Sequence, residues 1–191
     1  MDAFLVSCGI VALAEIGDKT QLLAFLLAAR FRRPLPIVLA ILVATIANHA
    51  FAAALGGWVR QMLGPDVLRW VLGASFLGMA GWTLIPDKID EGDAKLAGYG
   101  VFLTTLIAFF LAEMGDKTQV ATVALAAHYP SLLGVVAGTT CGMLIADVPA
   151  VLFGERIANK VPLKLAHGVA AALFAALGVA TLLGAGSRFG F

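Results

Sequence analysis

The sequence predicts an all-α membrane protein, six transmembrane helices built as two inverted three-helix repeats, and three observations carry that prediction. Of 191 residues, 61% are hydrophobic and 13% charged, too apolar for a chain whose whole surface must be wetted. Six stretches each supply the roughly 20 mainly apolar residues that a helical span needs. Finally, Glu15-Ile16-Gly17-Asp18-Lys19-Thr20-Gln21 returns as Glu113-Met114-Gly115-Asp116-Lys117-Thr118-Gln119, 98 residues on (113 − 15), with one change, Ile16 to Met114.

The expected spans are 4–29, 36–58, 67–86, 99–127, 132–153 and 164–186. Continuous apolar runs without strict alternation read as helices rather than as strands of a barrel. Breakers separate them: Arg30 to Pro36, Gly64-Pro65-Asp66, the polar run Asp87 to Lys95, His128-Tyr129-Pro130, and Glu155 to Pro162. Trp58, Trp70 and Trp82 fall near span ends, where interfacial aromatics belong. The first repeat is 1–86, a polar linker follows at 87–98, and the second repeat is 99–191.

In the second span of each repeat small residues recur every four positions: Ala40, Ala44, Asn48, Ala52, Gly56, and then Gly134, Gly138, Gly142, Ala146, Ala150, Gly154. Each row leaves a smooth ridge on one helix face, where a neighbouring helix can approach closely. Because three is odd, the second repeat enters the membrane from the opposite side, an inverted-repeat design with its site near mid-depth. Arg30, Arg32, Arg33, Lys88, Lys95, Arg156, Lys160 and Lys164 fall on one side and Arg60, Arg69 and Arg188 on the other. The positive-inside rule then places the linker in the cytoplasm and both termini outside. A net charge of +1 without a basic run gives no nucleic-acid partner. Cys8, Cys141 and Met143 read as packing residues, since no soft-ligand cluster gathers around them. Self-association into a homo-oligomer is left open.

An ionisable residue at membrane depth costs at least ~2.5–3.5 kcal/mol, so the duplicated motif needs a reason. In an unbroken helix Glu15 and Asp18 share a face, as do Glu113 and Asp116. Crossing helices would bring the four carboxylates together, where they must either protonate or recruit cations. Lys19 and Lys117, four residues after the glutamates, are placed for intrahelical ion pairs. The formal sum of −4 + 2 = −2 is what one divalent cation neutralises. Oxygen ligands from these acids, with Gln21, Gln119 or freed carbonyls, suit hard ions such as Mn²⁺, Ca²⁺ or Mg²⁺. Gly17 and Gly115 weaken the helix between the acids, so local unwinding is expected there. Thr20 and Thr118 would point away from the acid face and bond back to a carbonyl.

Three more polar residues lie inside spans. Asn48 reads either as an interhelical hydrogen bonder or as a ligand. His49 and Asp147 match at the repeat offset of 98 (147 − 49) and are proton-path candidates. His49 reads as a relay or a singly bonded core histidine, and Asp147 as lining the ion path or pairing with a lysine. No nucleophile–base pair and no His-Glu-x-x-His accompanies the acids, which argues against an enzyme, and no cofactor is implied.

The duplicated Glu-x-Gly-Asp-Lys-Thr pattern, one copy per half, closely resembles the cation exporters of uncharacterised protein family 0016, over nearly the whole chain. The resemblance implies six membrane helices, Mn²⁺ or Ca²⁺ as transported substrate, and exchange for protons. By position it implies Glu15, Asp18, Glu113 and Asp116 as ligands, with Lys19, Thr20, Lys117 and Thr118 completing the motifs. The short chain is similar to the bacterial branch, which implies manganese export at the inner (plasma) membrane.

Overall fold

The computed structural model describes residues 2–85, 100–153 and 163–184. Eight helices occupy them: α1 (Asp2–Glu15), α2 (Lys19–Phe31), α3 (Pro34–Met62), α4 (Pro65–Thr83), α5 (Gly100–Glu113), α6 (Lys117–His128), α7 (Leu132–Phe153) and α8 (Leu163–Leu182). Asp2, Lys19, Pro34 and Pro65 open the helices of the first half, and Gly100, Lys117, Leu132 and Leu163 open those of the second, each 98 residues further on (100 − 2, 117 − 19, 132 − 34, 163 − 65). Pro34 and Pro65 sit in the first turns of α3 and α4, where the missing N–H loses no bond and the fixed φ suits a helix. The linker, Gly154, and the charged residues Lys88, Lys95, Arg156, Lys160 and Arg188 lie outside the described residues.

Two of the expected spans are not single helices. The stretches 4–29 and 99–127 are each divided at the motif, into α1 and α2 and into α5 and α6. Gly17 and Gly115 cause this: their φ values of 84° and 78° lie in the left-handed region that only glycine enters at little cost. Among the described helices α3, α7 and α8 are long and apolar enough to cross a membrane by length and composition. Trp58, Trp70 and Trp82 are all exposed on the outer surface of the bundle.

The halves interlock rather than lie side by side. From the first half, α1 and α2 pack on α7 of the second, while α5 and α6 of the second pack on α3 of the first. The small-residue rows make this possible. A Cβ on Gly138 would fall 2.5 Å from the Phe4 carbonyl oxygen and one on Gly142 would fall 2.6 Å from that of Cys8, both on α1. Likewise a Cβ on Gly56 would collide with the Val123 carbonyl on α6. The third helices of the two halves, α4 and α8, pack on each other, with Phe76 and Phe174 stacked at 6.4 Å. Four broken-helix segments therefore surround the middle of the bundle, held by α3 and α7.

Candidate metal centre

Each motif occupies a helix break. Glu15 and Glu113 are the last residues of α1 and α5; Asp18 and Asp116 are the N-caps of α2 and α6, with extended backbone at ψ 168° in both. A carboxylate at a helix N-terminus faces the positive end of the peptide dipoles. Gln21 closes the first break by accepting the Gly17 N–H on its Oε1 at 2.8 Å, and Gln119 does the same for Gly115 at 2.7 Å.

The breaks overturn three expectations that assumed continuous helices. Glu and Asp do not share a helix face; they converge because the chain turns at glycine between them. The glutamates do not pair with the lysines four residues on. Lys19 Nζ instead reaches Asp116 Oδ1 of the other motif at 3.4 Å, and Lys117 Nζ donates to the Ile85 carbonyl at 2.6 Å. Nor do the threonines bond back to carbonyls: Thr20 Oγ1 donates to Glu15 Oε2 at 2.7 Å and Thr118 Oγ1 to Glu113 Oε2 at 3.0 Å. Each hydroxyl thus fixes one oxygen of its own motif's glutamate and leaves the other free to turn inward.

The acids of the two motifs meet. Glu15, Glu113 and Asp116, all buried, each offer a carboxylate oxygen within 4.8 Å of the other two. Glu15 Oε1, Glu113 Oε1 and Asp116 Oδ2 are buried without a hydrogen-bond partner, a state that costs about 1–3 kcal/mol or more per group unless a counter-charge supplies what hydrogen bonds do not. Asp18 is buried beside this triplet, its Oδ2 3.5 Å from Thr20 Oγ1. Asp147 on α7 is buried with both oxygens unpartnered, so it pairs with no lysine among the described residues. His49 on α3 is buried with neither ring nitrogen bonded, which rules out the singly bonded core histidine in this structure.

The remaining polar residues tie the motifs to the interlocked helices. Gln21 Nε2 donates to the Ala146 carbonyl on α7 at 2.9 Å, and Gln119 Nε2 to Asn48 Oδ1 on α3 at 3.3 Å. Asn48 Nδ2 in turn donates to the Phe110 carbonyl at 3.1 Å, so Asn48 is an interhelical hydrogen bonder here. Sequence reading missed His167 on α8, whose Nε2 lies 2.7 Å from the Ile16 carbonyl inside the first break. A lone histidine in an apolar run carries no local signal of such a partner.

Three convergent carboxylates with free oxygens, no sulfur among them and a lysine held at the edge are a donor set that could hold a hard cation. Known proteins resemble the chain over most of its length. The chain is 55% identical to a "putative manganese exporter" of Vibrio cholerae, over 95% of this chain and 90% of that one. It is 30% identical to the GDT1-like protein sll0615 of Synechocystis, over 91% of this chain and 93% of that protein, and 29% identical to GDT1-like protein 3 of Oryza sativa, over 94% and 73%. No solved structure matches it. Since the family model described as "Divalent cation/proton antiporter GDT1" matches residues 3–91 and 101–188, nearly the whole length, the chain belongs to that family.

Proposed function

We propose that this membrane protein exports Mn²⁺ from the cytoplasm of a bacterial cell in exchange for protons, using Glu15, Glu113 and Asp116, with Asp18, as the ion site. The observation that carries this reading is the meeting of free, buried carboxylate oxygens from both motifs. The two halves act as inverted three-helix repeats in the plasma membrane, with both termini outside, and the ion site lies between them. An arriving ion takes Asp116 from Lys19, and protons returning from outside release the ion. Asp147 and His49, buried and unbonded beside the small-residue rows, are the groups through which those protons travel. The manganese assignment follows the name carried by the Vibrio relative. An all-oxygen donor set also admits Ca²⁺, and Ca²⁺/H⁺ exchange by the same residues is the alternative.

Uptake into everted membrane vesicles tests the reading. With an acidic lumen, Mn²⁺ should accumulate inside and a protonophore should stop it. Uptake indifferent to the protonophore would remove proton exchange, and no uptake at all would remove export. Excess Ca²⁺ should leave most Mn²⁺ uptake in place; full suppression by equimolar Ca²⁺ would favour the alternative.

A further inference from the structure

The 98-residue correspondence lets every polar contact of one motif be compared with its counterpart in the other. The contacts inside the motifs match: Gly17 with Gln21 and Gly115 with Gln119, Thr20 with Glu15 and Thr118 with Glu113. So do those to the second helices, since Gln21 reaches position 146 and Gln119 reaches position 48. The contacts to and near the third helices do not match. His167, fifth residue of α8, holds the Ile16 carbonyl. Its counterpart Arg69, fifth residue of α4, makes no hydrogen bond to the Met114 carbonyl among the described residues, and its Nε is buried without a partner. Lys117 donates to the carbonyl of Ile85, just past the end of α4, whereas Lys19 pairs with Asp116 rather than with Leu183, the matching residue just past α8. Packing departs in the same way: α8 lies against α1 and α4 against α6.

Two copies of one unit that differ in these contacts can exchange conformations, each adopting the arrangement of the other. We propose that His167 and Arg69 are alternating latches. His167 holds the Ile16 carbonyl in the state seen here, and Arg69 holds the Met114 carbonyl in the opposite state. Both latch residues are donors suited to a carbonyl, and both would meet a carbonyl that its glycine break has freed from helix bonding. These are positioning residues; neither touches the ion. The proposal rests on the transport reading above, and its test separates the two.

In the full-length chain with Cys8→Ser and Cys141→Ser, two cysteine pairs are introduced separately: Ile16→Cys with His167→Cys, and Met114→Cys with Arg69→Cys. Positions 16 and 114 are where the motifs already differ, so cysteine there is a mild change. Disulfide formation by copper phenanthroline is followed in vesicles with and without Mn²⁺ and with the pH gradient imposed in either direction. The two yields should shift in opposite directions as conditions change. Yields that rise and fall together, or no linkage of the second pair under any condition, would overturn the proposal by showing a fixed asymmetry. Should a double variant fail to fold, spin labels at the exposed, repeat-matched pairs Leu22 with Leu165 and Val120 with Val67 should report one distance lengthening as the other shortens; parallel changes would again overturn it. Mn²⁺ uptake by the thiol-free parent is measured alongside. Uptake without reciprocity defeats the latches alone, and absent uptake defeats the transport reading.

Discussion

Thr20 and Thr118 show how much a single hydroxyl decides in this site. By donating to Glu15 Oε2 and Glu113 Oε2 they leave Oε1 of each glutamate as the oxygen without a partner, so each glutamate is oriented by its own motif. Residues that orient ligands typically contribute 10–100-fold to metal affinity. Thr20→Val and Thr118→Val should each weaken Mn²⁺ binding about tenfold, with Thr→Ser restoring it, in titrations of purified protein. Valine variants that bind as tightly as the parent would mean that packing alone holds the glutamates. The residue scale is also where sequence reading did least well. The motif acids, the lysines, the glutamines, Asn48 and Asp147 were all legible, because charge and amide groups stand out in an apolar chain. Their partners were not: one glycine at positive φ redirects every side chain after it, and the i, i+4 geometry that pairs Glu15 with Lys19 on paper no longer holds. His167 had no pattern around it at all, since its partner is a backbone carbonyl 151 residues away.

At the scale of elements the reading was better, and the reason is periodicity. Small residues every four positions on α3 and α7 announced close helix contact, and α7 does bring Gly138 and Gly142 against the backbone of α1. What periodicity could not say is which helix fills the ridge; the partner comes from the other half of the chain, a choice made by tertiary packing. Gly142→Ala places a Cβ 2.6 Å from the Cys8 carbonyl, and Gly56→Ala sets one against Val123. Overpacking of this kind costs about 1–3 kcal/mol, so both variants should lose monodispersity in detergent at a lower temperature than the parent. Gly78→Ala, with nothing within 4 Å of the new methyl, should not. Equal melting of all three would mean that α1 and α6 do not need this close approach. The glycine breaks were expected from Gly17 and Gly115; their effect, dividing two spans into α1 and α2 and into α5 and α6, is visible only in the folded chain.

For the molecule as a whole, interlocking means that neither half contains the proposed ion site. Glu15 comes from the first half and Glu113 and Asp116 from the second, brought together because each half's broken helix packs on the other half's small-residue ridge. Lys19 bridging to Asp116 places a counter-charge across the same boundary, which the proposed metal binding would have to displace. Mn²⁺ binding to purified protein, counted by equilibrium titration for the parent, Glu15→Gln and Glu113→Gln, examines this most directly. The account predicts one ion per chain, with each variant alone weakening that single site by about 30-fold or more, since removing one partner of a buried charge contact costs roughly 2–5 kcal/mol. Two ions per chain, each lost with a different glutamate, or full binding retained by either variant, would contradict it.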